Sequence, residues 1–157
     1  MKTKRVNRYY CDFCKKSGGS SYHMKNHEKY CTMNPDRECR MCKFVDGSQL
    51  PMAELLALLP GIEKYEQVDE YGNDYYSATL RPAMIEPLKM LREATDDCPV
   101  CILATLRQRG IPFEFYCDEF DYSKEFADVM KLHNDEEKAM REEESAFEPA
   151  DAASWEY

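Results

Sequence analysis

Apolar residues recur along this chain at helical spacing in four stretches and alternate in a fifth, with prolines, glycines and charged turns between them. Residues 51–59, Pro-Met-Ala-Glu-Leu-Leu-Ala-Leu-Leu, open with a proline whose fixed φ suits a first turn and stop at Pro60-Gly61, which predicts a compact apolar helix. Met84, Leu88 and Leu91 mark a helix over 81–94, in which Pro87 has no N–H to donate and imposes a late start near Glu86 or a kink. Asp96-Asp97-Cys98-Pro99 places an acidic cap and a proline before a helix over 100–109, closed by Gly110. Ile111, Phe113, Phe115 and Cys117 alternate with Pro112, Glu114 and Tyr116, the period of a half-buried strand, with Cys117 a core thiol on its inner face. From Asp121 a last helix buries Tyr122, Phe126, Val129 and Met130. The tyrosine-rich stretch 65–76 around Gly72-Asn73 reads equally as a hairpin or a loop.

The two ends of the chain lack this apolar period. Tyr9-Tyr10 suits a short strand, residues 15–19 a turn, and Ser20 or Ser21 caps a helix over 22–30 before the turn signal Asn34-Pro35-Asp36. Residues 135–157 hold nine acids against two bases, which predicts a frayed helix running into a disordered acidic tail. Three segments follow: 1–35, a body over 36–134, and the tail 135–157.

Charge separates the same segments. The net charge is −9, so the whole chain is no general polyanion binder. Residues 1–43, however, carry eleven Lys/Arg against four acids, or +7, and the remainder ten against twenty-six, or −16. The basic start at Met1–Arg8 has no apolar stretch behind it, so no export signal is expected and a reducing, cytoplasmic setting is. Leu50–Ile62 is broken by Glu54 and two prolines, far short of the roughly 20 apolar residues that span a bilayer, so no membrane segment is expected.

Eight cysteines form three C-x-x-C pairs and two singles, and the first pair opens the run Cys11-x2-Cys14-x12-His27-x3-Cys31. A tetrahedral metal site takes two ligands from a tight knuckle and two from one helix face, and this run offers both halves. His23 also stands one turn before His27, but it leaves too short a span after Cys14, so His27 is the expected ligand.

Residues 9–31 resemble the two-Cys/two-His zinc finger family in its variant with a fourth cysteine ligand. Tyr9 falls at the aromatic position before the first cysteine and Met24 at the core leucine, while Gly18 replaces the core aromatic. The thinned core implies that this unit leans on another part of the protein. The resemblance implies zinc at Cys11, Cys14, His27 and Cys31, and base-facing positions at Ser20, His23 and Asn26. Lys15, Lys16, Lys25 and Lys29 around them would supply phosphate contacts. Such a finger alone contacts only about 3 base pairs, so weak nucleic-acid binding is the expectation. The alternative is a finger that binds protein.

Cys39-x2-Cys42 and Cys98-x2-Cys101 stand 55 residues apart, a knuckle followed by a C-x-x-C in the first turn of a helix. That arrangement resembles the treble-clef group of zinc folds and implies a second zinc on Cys39, Cys42, Cys98 and Cys101. A helix N-terminus also favours thiolates in redox sites, and an iron–sulfur cluster uses the same ligand type, so these remain competitors. Residues 102–106 would pack on the helices over 55–59 and 88–91.

The resulting expectation is an α+β, mainly helical protein: a ββα-like finger, then a zinc-stapled helical body with a short strand or hairpin. Catalytic signatures are missing. The chain has no H-E-x-x-H, phosphate-cradling glycine loop or nucleophile elbow, and four-ligand zinc sites leave no place for water. His133 on the last helix reads as a packed or surface residue. A non-enzymatic, two-zinc binding protein is expected, with nucleic acid as one partner class and a protein partner as the alternative, the acidic tail serving in that case as a contact. Small zinc-rich chains of this kind resemble accessory proteins of bacteria and their phages, a resemblance without an assigned activity.

Overall fold

Six helices and two antiparallel hairpins make a mixed α/β, predominantly helical fold among the described residues, 1–146, of the computed structural model. The remainder of the acidic tail, 147–157, lies outside the described residues. The chain divides into two compact units, Met1–Tyr122 and the segment from Ser123.

In the first unit β1 (Tyr9–Tyr10) pairs antiparallel with β2 (Ser17–Gly18), followed by α1 (Ser21–Tyr30). Ser20 caps α1 by accepting from the His23 N–H. A short helix, α2 (Arg40–Phe44), begins directly at the second cysteine pair. The apolar stretch after Pro51 forms α3 (Met52–Ala57), and its last leucine, Leu59, is buried beyond the helix end.

The stretch read as hairpin or loop is a hairpin, β3 (Glu66–Val68) with β4 (Asp74–Tyr76). Its turn is built by Asp69, whose carboxylate accepts from the Tyr71 and Asn73 N–H groups at 2.8 Å each, with Gly72 at φ 83°.

α4 (Leu80–Thr95) runs through Pro87 instead of starting at it. Leu80, Met84, Leu88 and Leu91 lie on one face and are buried, each contributing about 1.5–3 kcal/mol, which outweighs one lost backbone hydrogen bond of about 0.5–1.5 kcal/mol. α5 (Pro99–Arg109) packs on α3 and α4 as expected, burying Ile102, Thr105 and Leu106, and Gly110 at φ 78° closes it.

The acidic cap expected before α5 is absent. Cys98 itself is the N-cap, while Asp96 and Asp97 adopt left-handed conformations that turn the chain from α4 into α5. Asp97 pairs with Arg92 at 3.0 Å.

The strand expected over 111–117 is also absent, replaced by a single tight 3-10 turn at Phe113–Phe115. Ile111, Phe115, Tyr116 and Phe120 are buried and Phe113 is exposed, so burial follows helical and turn spacing, not alternation. Pro112 at φ −64° starts the turn. Cys117 is consequently half-buried and not a core thiol.

α6 spans Tyr122–Ala146. Tyr122, Phe126, Val129 and Met130 are half-buried and not core. Where fraying was expected the helix continues, because Glu137 meets Arg141 at 3.2 Å and Lys138 meets Glu142 at 3.8 Å, one turn apart. His133 contacts Glu137 at 3.4 Å, a surface pairing. No helix of the described residues is long and apolar enough to cross a membrane.

Candidate metal centres

The first site is assembled by the β1–β2 hairpin and α1. The Cys11 N–H donates to the Lys16 carbonyl at 2.9 Å and folds the knuckle back on itself. That turn aims two more N–H groups at sulfur, Phe13 to Cys11 Sγ and Lys16 to Cys14 Sγ, both at 3.4 Å. His27 lies two turns into α1 and Cys31 forms its C-cap, so both reach the knuckle. Glu28, between them, accepts from the Asp12 N–H at 3.0 Å and fastens helix to hairpin.

The ligand atoms of Cys11, Cys14, His27 and Cys31 all lie within 4.8 Å of one another, with Cys14 Sγ 3.3 Å from His27 Nε2. His23 is exposed and outside the group, as the spacing predicted. Met24 is buried with Cys11 and Cys31, and Met33 packs against them, a residue the sequence reading missed. A Cβ at Gly18 would sit 3.6 Å from Met24 Cε, so the methionine tip covers the face that Gly18 leaves bare.

The second site joins two helix starts. Cys39 is the N-cap of α2 and accepts from the Cys42 N–H at 3.5 Å, while Cys98 occupies the N-cap position of α5 without a side-chain capping bond, with Pro99 after it. All four sulfurs lie within 4.8 Å, and all four residues are buried. Cys39 Sγ and Cys98 Sγ are 3.7 Å apart, Cys42 Sγ and Cys101 Sγ 3.6 Å. A tetrahedron with metal–sulfur arms of about 2.3 Å has edges of about 3.8 Å, whereas a disulfide requires about 2.05 Å. None of the eight cysteines is disulfide-bonded.

One buried charge tests whether a metal fits. Arg37 is 4 % exposed, its Nη1 lies 3.8 Å from Cys101 Sγ, and its Nε has no hydrogen-bond partner. The adjacent carboxylate, Glu38, pairs instead with Lys29 at 3.0 Å and with Lys43. A guanidinium does not deprotonate in a protein, so its burial calls for nearby negative charge. Four thiolates around one divalent cation carry −2, and that is the charge this site would supply. Gln49 holds the backbone here by donating to the Arg37 carbonyl at 2.7 Å and accepting from the Cys39 N–H. Neither Arg37 nor Gln49 has a ligand-like spacing, which is why the sequence reading passed over both.

Between the sites the chain is tied down. Gln108 of α5 donates to the carbonyls of Thr32 and Asn34 at 2.8 and 2.9 Å, and Arg107 donates to Thr32 Oγ1 at 3.1 Å. The N-terminal unit therefore leans on α5, as its thin core required.

The thiols titrate unequally. Hydrogen bonds from Cys101 and Cys98 hold Cys39 far below the ordinary thiol range despite its burial. Burial and the negative charge at Cys98 and Cys39 push Cys42 up to about 12. Cys101 is raised by donating to Cys39 and Cys98 and by burial. Cys98 is pulled down by Cys101 but pushed up more by Cys39 and burial. In the first site burial lifts Cys31 to about 11. Burial also raises Cys14, but the Lys16 N–H and the neighbouring thiols outweigh it and the net shift is downward. Burial and the Lys16 charge lower His27, which keeps its imidazole neutral and able to ligate.

A raised thiol keeps its proton at neutral pH, whereas ligation needs the thiolate. Metal entering the second site must therefore displace protons from its buried thiols, Cys42 and Cys101 among them. Affinity rises with pH and falls as pH drops, by roughly a factor of ten per displaced proton per pH unit. Titrating metal into weakly buffered protein near pH 7 is expected to release several protons, because ligation requires thiolates and the ordinary thiol holds its proton at that pH. A release of one or none contradicts the assignment.

The positions expected to face nucleic acid divide. Ser20, His23 and Asn26 line a hollow beside α1 together with Lys16, Tyr30 and Arg40. Lys15 and Lys25 are exposed elsewhere, and Lys29 is committed to Glu38. Fold and ligand sets together define the class, a mixed α/β protein with two candidate metal sites, one of three cysteines and a histidine and one of four cysteines. No protein-family model, no curated protein and no solved structure matches the chain.

Proposed function

We propose that this is a non-enzymatic, intracellular zinc-binding protein in which both ions are structural and the basic N-terminal finger contacts nucleic acid weakly. The supporting observation is that each cluster brings four ligand atoms within 4.8 Å. Three thiolates with an imidazole, or four thiolates, suit tetrahedral zinc and leave no open position for a reactive water. The ions therefore hold the fold and do no chemistry. The full set of free thiols fits a reducing compartment.

Metal analysis by mass on the intact chain is expected to give two zinc per molecule. One zinc, or iron in its place, overturns the assignment. The nucleic-acid part rests on the +7 charge of residues 1–43 and the exposed Lys15, Lys16 and Lys25. Changing these three lysines to alanine is expected to weaken binding at low salt and reduce the salt slope by about one per lysine. Binding that does not change removes nucleic acid from the proposal.

The rival reading is a protein-binding adapter. It is favoured by the acid-rich α6, on which Leu132 and Met140 are 62 % and 58 % exposed. Recovery of one protein partner after nuclease treatment, lost when both residues become serine, would establish it.

A further inference from the structure

The hollow beside α1 has a volume of about 490 Å³, within the roughly 300–1,000 Å³ of small-ligand pockets. Gly18 and Gly19 form part of its wall and place no side chain in it, and Met24 and the ligand His27 close its inner side. Lys16 and Arg40 bring positive charge, and among the described residues no carboxylate side chain belongs to the lining. His23 and Asn26 add groups that both donate and accept hydrogen bonds. The Arg40 guanidinium lies 4.0 Å from the Tyr30 ring centroid, a flat cationic surface at the edge of the hollow.

Reading a duplex through its major groove requires side chains that project from a helix to base edges. Here the three expected reading positions line a concavity, and the Ser20 hydroxyl is already occupied in capping α1. A concave site with positive charge, a stacking surface and mixed donors and acceptors matches a nucleotide whose base is free of its stack.

We infer that this hollow receives one unstacked nucleotide of a single-stranded nucleic acid. Lys16 faces its phosphate, Arg40 backed by Tyr30 stacks on its base, and His23 and Asn26 bond the base edge. The inference rests on the reading that the finger contacts nucleic acid, and it makes that contact selective for single strands.

The test is fluorescence anisotropy of the full zinc-loaded chain with short labelled DNA and RNA single strands and with the matching duplex. Single strands are expected to bind about tenfold tighter than duplex, and Arg40→Ala and His23→Ala each to weaken them about tenfold at unchanged zinc content and melting temperature. His23 is exposed and not among the metal ligands, so its variant, checked for unchanged zinc content, reports even if Arg40→Ala perturbs α2. Equal affinity for duplex, or single-strand binding indifferent to both variants, overturns the hollow while leaving the nucleic-acid reading in place. Equal displacement by an acidic peptide such as polyglutamate reduces it to a general anion site and overturns it too. Binding of neither form overturns the parent reading with it.

Discussion

Stripping metal from the intact chain is expected to abolish the cooperative unfolding transition of the helical body, with much of the α-helical signal, and zinc is expected to restore both. The second site joins residues 39–42 to 98–101 and so closes a loop through α3, the β3–β4 hairpin and α4. Apparent binding free energies of structural zinc, about 10–16 kcal/mol, equal or exceed the whole stability of an ordinary domain, about 5–15 kcal/mol. Without metal, burial favours the protonated thiols, and the Arg37 charge loses much of its compensation. The buried leucines of α3, α4 and α5 then lack the staple that aligns them. Circular dichroism and calorimetry with and without a strong chelator provide the measurement. Cys101→Ser should reproduce the loss in the presence of zinc, whereas Cys14→Ser should disturb mainly the β1–β2 hairpin and α1. A chelated protein that melts cooperatively at an unchanged temperature would show that apolar packing alone sustains the body.

Ligand spacing was the most legible property of the sequence because coordination geometry restricts both residue type and separation. Cys11, Cys14, His27 and Cys31 converge, and so do two cysteine pairs 55 residues apart. Helices with a full apolar face were equally legible, as in α4 and α5. Short elements were not. Ile111, Phe113, Phe115 and Cys117 fit a strand over 111–117 on paper, but Pro112 and the burial of Tyr116 beside Phe115 turn the chain instead. The continued α6 carries i,i+4 charge pairs in a stretch that composition alone reads as disorder. Residues that support the ligands were hidden for another reason. Arg37, Gln49 and Gln108 act through backbone carbonyls, N–H groups and sulfur, and no sequence period marks those contacts.

Replacing Arg37 with methionine is expected to weaken metal binding at the four-cysteine site by about 10–100-fold and to speed transfer of that ion to a chromogenic chelator. Methionine keeps most of the aliphatic length and removes the charge, so a packing defect contributes little. The guanidinium is buried, among the described residues it hydrogen-bonds Cys101 Sγ at 3.8 Å, and the neighbouring Glu38 is already paired. Its counter-charge is therefore the thiolate set, whose −2 around a divalent ion it halves. Removing one member of a buried charge pair typically costs about 3–5 kcal/mol, because the other is left uncompensated. The metal complex, with all four sulfurs deprotonated, bears more of that cost than the metal-free site, where burial keeps protons on thiols such as Cys42. Arg37→Lys separates charge from shape: it should recover part of the affinity, since an ammonium keeps the sign without the planar reach of the guanidinium. The three-cysteine, one-histidine site serves as the internal control and should retain its ion in both variants. If methionine and lysine variants lose metal equally, Arg37 holds the site by shape, and the buried charge is no measure of what the sulfurs bind.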